Sequence, residues 1–495
     1  MLTSLLTAAM IVAAAPVAPA VSPRSPNGSK TVIIQMFQWS WDSIAAECTN
    51  FIGPAGYGFV QANAHQLSRL ALSMSLALLG GLIINLYPIY LLLSGEIEPN
   101  LRLAPPVMIF CLHMLMYMRM VKNMVTACQN AGVGVIVDTI FNHMSGAESW
   151  NGTAGTSFTH YNYPGTYQFH NFHHCGLQPG DDIVDFSNRL EVQTCELLNL
   201  ADLATDTEYV RGRLAAYAND LLSLGVVGLR LDAAKHIPTG NIANILGRLN
   251  SKPYITQEVV IYVEEEPVKP SEYTNNGEVQ EFRYTTTLQN VFQSGEISSL
   301  KDLDSRGWIA SSDANVFISN HDTERGGSSL NYKSGLIYTL AHIFMLAYPY
   351  GTPTVLSSYE FSDYDAGGPL NGTGSCTETG GADGWLCQHR WTAITGMVKW
   401  RNGVTGNVSN WINGTNQQIA FSRGSSGFVA INNANSPWTC TFSTPLAAGT
   451  YCDMISGKLG TAGTCTGASY TVFRGNFIAT IAAKSAVALF SGAQH

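Results

Sequence analysis

Two carboxylates close two strand-like runs. Asp232 ends Gly228-Leu229-Arg230-Leu231-Asp232, and Glu258 ends Tyr254-Ile255-Thr256-Gln257-Glu258. In a βα-barrel the carboxyl ends of the strands deliver side chains to the catalytic face. A pair of carboxylates on one rim is the minimum equipment for breaking a glycosidic bond. One attacks or stabilises the anomeric carbon, and the other protonates the leaving oxygen. Arg230 lies two residues before Asp232, so on a strand both side chains leave the same face. A guanidinium there holds the carboxylate ionised and oriented. Two further runs end alike: Val133 to His143, through Asp138-Thr139-Ile140-Phe141-Asn142-His143, and Asn315 to Asp322, through Phe317-Ile318-Ser319-Asn320-His321-Asp322. A single Asp at a strand end is usually a cap or turn residue, a single Glu is usually solvated, and a single His is usually packed. The joint occurrence of Arg230, Asp232, Glu258, His321 and Asp322 is what points to chemistry.

Such residues need strands to carry them. Apolar, strand-like runs recur at Thr31 to Phe37, Gly58 to Gln61, Val133 to Asp138, Val226 to Asp232, Tyr254 to Glu258, Val279 to Tyr284, Ala314 to Ser319 and Pro353 to Ser358. Amphipathic stretches such as Thr207 to Leu224 lie between several of them. Eight strands alternating with helices predict a closed (β/α)8 barrel. The stretch from Met144 to about Leu200 is long, irregular and rich in Gly, Asn, His and aromatic residues; an insertion of that kind is usually functional. Beyond about Asn402 the pattern changes to short alternating runs, such as Gln418 to Ser422, Gly427 to Asn432 and Ala486 to Ser491. That predicts an all-β sandwich.

Composition excludes more than it proposes. A chain of 495 residues is long enough for several domains and a large core. Charged residues make up only 12% and the net charge is −9, with no basic stretch to neutralise phosphates, which argues against nucleic acid as a partner. A neutral polymer needs no charge steering, although a merely soluble acidic surface would read the same way. Leu5 to Ala15 is apolar but too short to span a bilayer, and Ala18-Pro19-Ala20 offers a small-residue cleavage site. The basic residue usual near the start is missing, yet residues 1–20 read as a secretory signal. Asn-X-Ser/Thr triplets at Asn27, Asn151, Asn371, Asn407 and Asn413 fit passage through a secretory pathway. The ten cysteines suit an oxidising compartment, and none forms a CxxC pair of the zinc or thioredoxin kind. Cys128, in the helix-like stretch Asn123 to Asn130, is expected to be a buried free thiol.

The four strand-end segments, in order and at barrel spacing, resemble the signature stretches of the alpha-amylase superfamily of retaining glycoside hydrolases. Gln35-Met36-Phe37-Gln38-Trp39 and Gly449-Thr450-Tyr451-Cys452-Asp453 extend the resemblance. It implies a barrel in two parts, 21–142 and 201–402, a B domain over 143–200 inserted after the third strand, and a C-terminal sandwich over 403–495. Asp232 then becomes the nucleophile, Glu258 the acid/base and Asp322 a third carboxylate gripping sugar hydroxyls. His143 and His321 would hydrogen-bond the reacting sugar, and Lys235 and His236 would line the subsites beyond the bond. Calcium would be held by Asn142, Asp202 and the backbone carbonyls of His236 and of Gln193, where many relatives have Arg. Oxygen donors of this kind suit a hard cation, although Leu200-Ala201-Asp202-Leu203 would also serve as a helix start. Relatives activated by chloride hold it with two Arg and an Asn; Arg230 and Asn320 are present, but Thr354 stands at the second Arg position, so no chloride is expected. Spacing and resemblance together suggest disulfides Cys175–Cys195, Cys376–Cys387 and Cys452–Cys465. The implied activity is that of a secreted, monomeric enzyme cleaving internal α-1,4 bonds of starch, glycogen and maltooligosaccharides, with no membrane partner. A transglycosylating or exo-acting relative and a non-catalytic glucan-binding protein are the rival readings.

The resemblance fails over 62–121. Leu70 to Leu93 carries no charge and meets the ~20-residue length that spans a bilayer. Val107 to Met120 is a second apolar patch crowded with Met. Relatives have a shorter polar interval here, with a Trp pair and a Tyr-Gln-Pro that wall the cleft, and these are absent. Similarity resumes abruptly at Asn123-Met124-Val125. Its edges suggest a translated intron or shifted reading frame; a divergent loop and a membrane insertion are the other readings. The last conflicts with topology, because a closed soluble barrel cannot thread its connection through a bilayer. Cys48 would pair in many relatives with a cysteine from this interval, so its partner is open; Cys111 lies inside the interval and Cys440 has no evident mate.

Overall fold

A computed structural model describes residues 30–62, 105–152, 156–261 and 264–495, with only the backbone described for 105–117. The expected signal at 1–20, Asn27 and Leu70 to Leu93 lie outside these residues.

Eight parallel strands close the barrel: β1 (Ile33–Met36), β2 (Phe59–Ala62), β3 (Gly134–Ile140), β4 (Gly228–Asp232), β5 (Tyr254–Gln257), β6 (Glu278–Gln280), β7 (Ala314–Phe317) and β8 (Thr352–Ser357). Each pairs with its neighbours in chain order, and β8 returns to β1 with Thr354 opposite Ile33. The strands are short and almost wholly buried, as sheets covered on both faces must be. Ile33, Phe59, Ile136 and Tyr254 form an apolar cluster inside the barrel. Gln35, Gln61, Asp138 and Arg230 bring polar groups into its interior, and Gln61 Nε2 donates to Asp138 Oδ1 at 3.1 Å.

The sixth strand is shorter than expected. The run Val279 to Tyr284 is not one strand: extended backbone stops at Gln280, and a helix begins at Phe282. Glu281 is the reason. Its carboxylate accepts from the Arg283 amide and caps the helix start, satisfying a donor that a strand would have left to the ladder.

The second correction concerns Cys128. It is bonded to Cys48, across a sequence separation of 80 residues and a Cα–Cα distance of 4.9 Å. Helix α1 (Trp41–Glu47) leads directly to Cys48, and helix α2 (Pro105–Asn130) packs beside it. Val121, Met124, Val125 and Cys128 recur at helical spacing and are all buried, so the face that reaches the core also presents the thiol. The apolar patch Val107 to Met120 lies within α2. Among the described residues no helix is long and apolar enough to cross a membrane. Bonds Cys175–Cys195, Cys376–Cys387 and Cys452–Cys465 are present as expected.

The long insertion follows β3 and ends before α3 (Glu208–Ser223). It contains a small ribbon, Ser149–Asn151 against Ser157–Thr159, and an aromatic cluster of Tyr161, Tyr163, Tyr167 and Phe172. Its two ends are stitched by Met144 N to Ala201 O and Leu203 N to Asn142 O, both at 2.9 Å.

The C-terminal part is all β. Strands β9 (Val408–Thr415), β10 (Gln418–Arg423), β11 (Gly427–Asn432) and β16 (Ser485–Phe490) form one sheet. Strand β12 (Trp438–Ser443) pairs with β15 (Asn476–Ile481), and β13 (Gly449–Cys452) with β14 (Ser469–Val472). Aromatic edges of Phe428, Trp438, Phe442 and Phe477 fill the space between. Close packing joins this part to the barrel. A Cβ on Gly396, in the helix Thr392–Gly403, would meet the Met454 carbonyl oxygen at 1.8 Å, so only glycine lets that helix approach. Half-buried Arg401 donates to the carbonyls of Tyr348 at 3.2 Å and Gly351 at 2.9 Å, holding the segment that leads into β8.

A bond closing a loop of 80 residues is worth about 4–5 kcal/mol in the chain-entropy treatment. Cys128→Ser should therefore lower the denaturant midpoint by an amount equivalent to ~2–5 kcal/mol. Alkylation of the unreduced native protein should modify Cys440, which is unbonded and half-buried, and leave Cys48 and Cys128 untouched. Labelling of Cys128 would contradict the bond.

Candidate active site

Strand β4 sorts its side chains by alternation. Leu229 and Leu231 are fully buried, while Arg230 and Asp232 point to the shared polar interior. Arg230 is 1% exposed and meets three carboxylates. Its Nη1 donates to Asp232 Oδ1. Its Nη2 lies 2.9 Å from Glu258 Oε1 and its Nε 3.4 Å from Asp138 Oδ1, and these two approaches are ion pairs rather than aimed hydrogen bonds. Glu258 follows β5 directly, and its backbone N–H donates to Leu231 O at 3.0 Å. Ala233 turns the chain after Asp232 with φ +47°, a left-handed conformation that costs a non-glycine residue ~1–2 kcal/mol. The turn aims the Ala233 N–H at Glu258 Oε2, 2.8 Å away.

Two histidines flank the carboxylates. His143 Nε2 is 4.0 Å from Asp232 Oδ2. His321 Nδ1 accepts from the Gln35 amide at 2.9 Å, which leaves its Nε2–H facing Asp322 Oδ2 at 3.4 Å. Asp322 is the open member of the group, with a side chain 54% exposed.

The electrostatics separate the two central acids. Burial pushes the Glu258 carboxyl up to about 7, with the Asp232 and Asp322 charges adding and Arg230 opposing. Burial also acts against the Asp232 carboxylate, but Arg230, His143 and His321 outweigh it and hold this group below the ordinary carboxylate range. One acid is thus anionic while its neighbour keeps a proton, which is how a nucleophile and a general acid share one rim. A raised pKa does not itself mark the site. Glu278 and Glu324 are also pushed up to about 7 by burial, yet they bond to structural hydroxyls: Tyr254 at 2.6 Å and Thr352 at 2.8 Å for the first, Ser358 at 2.9 Å for the second. Glu258 and Asp138 both combine a raised carboxyl with anionic Asp232 on the same guanidinium, but Asp138 is 3% exposed and holds the Gln61 amide, while Glu258 stands at the end of its strand.

Lys235 and His236 follow Ala233 but turn into the protein, 3% and 7% exposed. Lys235 Nζ meets Glu266, and His236 Nδ1 lies 2.8 Å from Val192 O. Glu266 was not singled out from sequence, nor was Asp138 given a role, nor the Gln35 and Gln61 amides. Asp138 had a signal, since it closes the strand-like run Val133 to Asp138, and the structure sets it opposite Arg230 in register.

The expected calcium ligands bracket the root of the insertion. Asp202 is buried, and burial pushes its carboxyl up to about 7 against the pull of His173, whose Nδ1 is 2.6 Å away, and of the Asn142 amide. The Gln193 side chain turns away to Tyr273 Oη at 3.0 Å. The donor types are a buried carboxylate at Asp202, a buried amide at Asn142 and backbone carbonyls at buried Gln193 and His236, and oxygen groups of this kind fit a hard divalent ion. At the position where chloride-binding relatives have a second Arg, the Thr354 hydroxyl accepts from Asn315 Nδ2 at 2.9 Å.

Comparisons with known proteins agree with this geometry. A family model described as the alpha amylase catalytic domain matches residues 117–313, and one described as the alpha amylase C-terminal all-beta domain matches 411–491. An alpha-amylase of Streptomyces violaceus is 42% identical over 467 residues, covering 94% of this chain and 74% of its own length. The alpha-amylase of Tenebrio molitor is 37% identical, covering 89% of this chain and 92% of its own. The crystal structure of alpha-amylase I from Eisenia fetida aligns with a TM-score of 0.76 at 30% identity, over 94% of this chain and 98% of that one. A variant of the same earthworm enzyme was solved with maltohexaose.

The two protonation states are open to direct measurement. Glu258 binds its proton more tightly when folded, with a value of about 7 against an ordinary 4.5. Its contribution to stability is therefore complete below 4.5 and is lost as pH rises through about 7. Glu258→Gln should remove that loss, so its stability should decline less than the parent's between those limits in denaturant titrations at stepped pH. Infrared spectra near pH 6 should show one fewer protonated carboxyl in the variant. Equal spectra would show that Glu258 is ionised.

Proposed function

Because this chain belongs to the alpha-amylase family of glycoside hydrolases, we propose that it cuts internal α-1,4 bonds of starch-type glucans with retention of configuration. The observation that carries this reading is the single guanidinium of Arg230 gripping an anionic Asp232 and a raised Glu258. Sharing one small cation keeps the two carboxylates close, which favours the ~5–5.5 Å spacing of retaining enzymes over the ~6.5–9.5 Å that an inverting enzyme needs for its water. Asp232 attacks the anomeric carbon as Glu258 passes its proton to the leaving oxygen. In the second step Glu258, now anionic, takes a proton from a water molecule whose oxygen bonds to the anomeric carbon, and the bond from that carbon to Asp232 breaks. Asp322 and the two histidines, His143 and His321, hold sugar hydroxyls at the open side of the group. The maltohexaose bound by the earthworm relative supports a cleft for extended chains.

Calcium is the ion that Asn142, Asp202 and the carbonyls of Gln193 and His236 would hold. When bound it supplies a positive charge that lets buried Asp202 ionise, bracing the insertion against the barrel. Chloride has no second cation to hold it, since Thr354 is neutral. We read the chain as a secreted monomer with a signal at 1–20 and a B domain at 143–200. The four disulfides among the described residues support an oxidising compartment.

Asp232→Asn should lose turnover by about 10⁴-fold or more while still binding glucan. Proton NMR of the earliest products should show the α-anomer; early β-anomer would contradict retention. Product sizes distinguish the modes. A broad range of oligosaccharides from the start supports internal cleavage, whereas one small product throughout would mean attack from chain ends.

A chelator should lower melting temperature and activity together, and added calcium should restore both, because an ion that binds only the folded state adds stability. In Asp202→Asn the melting temperature should no longer respond to calcium. Chloride titration should leave the rate unchanged, and strong activation would overturn the argument from Thr354.

A further inference from the structure

Asn413 opens the triplet Asn413-Gly414-Thr415, an acceptor pattern for N-linked sugar. Asn151, Asn371 and Asn407 open others, and all four asparagines are exposed. Trp411 sets Asn413 apart. Two residues apart on β9, the side chains leave the same face, and the indole Nε1–H donates to Asn413 Oδ1 at 2.6 Å. The indole itself is pinned, stacked on Phe421 with centroids 5.1 Å apart and an interplanar angle of 4°. Trp411 is only half-buried, so part of the ring still faces solvent. The amide is thus anchored through its oxygen, which leaves Nδ2, the atom that bears a glycan, beside an exposed aromatic surface.

The rest of the hairpin explains the remaining residues. A Cβ on Gly414 would stand 2.8 Å from the Trp438 ring, so packing dictates that glycine. Thr415 Oγ1 accepts from Gln417 N at 3.2 Å and shapes the turn into β10, next to a bulge between Asn413 and Thr415. Asn151 lacks the pairing. Asn151 Oδ1 accepts from the Ser157 hydroxyl, and Trp150, as its immediate neighbour, leaves the strand on the opposite face. Strand β9 is also the edge of its sheet, and exposed edges invite pairing with other chains unless something covers them.

We propose that Asn413 carries an N-linked glycan whose first N-acetylglucosamine packs its apolar face on Trp411. In its formation the Asn413 amide nitrogen bonds to the anomeric carbon of an oligosaccharide carried on a lipid pyrophosphate. The carbon–oxygen bond to the pyrophosphate breaks, the lipid pyrophosphate leaves, and the amide gives up one proton. The aromatic contact then stabilises the C-terminal sheet and the sugar shields its edge.

The test uses the full chain secreted from a eukaryotic host. Mass spectrometry of its peptides should find N-acetylhexosamine-bearing mass on Asn413, absent in Asn413→Gln. Trimming the glycan to its first sugar should leave the melting temperature unchanged, while complete removal should lower it by about 2 °C or more. In Trp411→Leu that difference between glycosylated and stripped protein should vanish, and in Trp411→Phe it should persist. Each comparison is within one variant, so any general destabilisation by the substitution cancels. An unmodified Asn413 peptide overturns the proposal, as does an undiminished difference in Trp411→Leu. The occupancy measurement on the unaltered chain decides the first point even if a variant fails to fold.

Discussion

Arg230 carries a full charge at 1% exposure, inside a barrel whose walls are mostly aliphatic. Burial alone would favour its neutral form, but the carboxyl groups of Glu258, Asp138 and Asp232 packed around it outweigh burial and raise its pKa. Each partner depends on it in turn. Removing one member of a buried ion pair leaves an uncompensated charge and costs ~3–5 kcal/mol, so the cluster stands or falls together. Its members come from successive strands, β3, β4 and the end of β5. The register of those strands is therefore also the register of the chemistry. A slip of one residue would send Arg230 to the helix side and bring Leu231 into the polar interior.

The barrel was legible in sequence because buried parallel strands read as apolar runs, and because their ends were marked by acids and histidines. Legibility ended where a side chain overrode the run. Val279 to Tyr284 looks like one strand, but the Glu281 carboxylate caps a helix inside it. Cys128 looked solitary because the cue to its partner was helical phase, and the partner of Cys48 was expected in the interval where resemblance fails. The acids of the site were singled out by type and position, whereas their division of labour came only through the resemblance and its physical cause was not legible. It arises from distances to one guanidinium and from the left-handed turn at Ala233, which a sequence containing plain alanine does not advertise. Lys235 shows the converse: its position beside the site was readable, but its burial against Glu266 depends on a loop more than 25 residues away in the chain.

The insertion and the carboxylate cluster are joined through single peptide steps. Asn142 sits against Asp202 at the root of the insertion, and the next residue, His143, faces Asp232. On the other side Ala233 touches Glu258, while His236, a few residues later, holds the insertion through Val192 O. Loosening the insertion would thus act on the positions of both His143 and Ala233 without touching either acid. This ties the stability of a peripheral segment to the accuracy of a buried one.

The Cys48–Cys128 bond has a meaning beyond stability. It joins the helix after β1 to the helix before β3, on either side of the stretch whose sequence departs most from its surroundings. With both shoulders fastened, the barrel's geometry no longer depends on how the chain travels between them. The entropic cost of a longer excursion grows only with the logarithm of its length, about 0.6 kcal/mol per doubling. The junction therefore behaves as a docking port in the chain, where segments of unrelated length or character can be exchanged while the neighbouring strands keep their alignment.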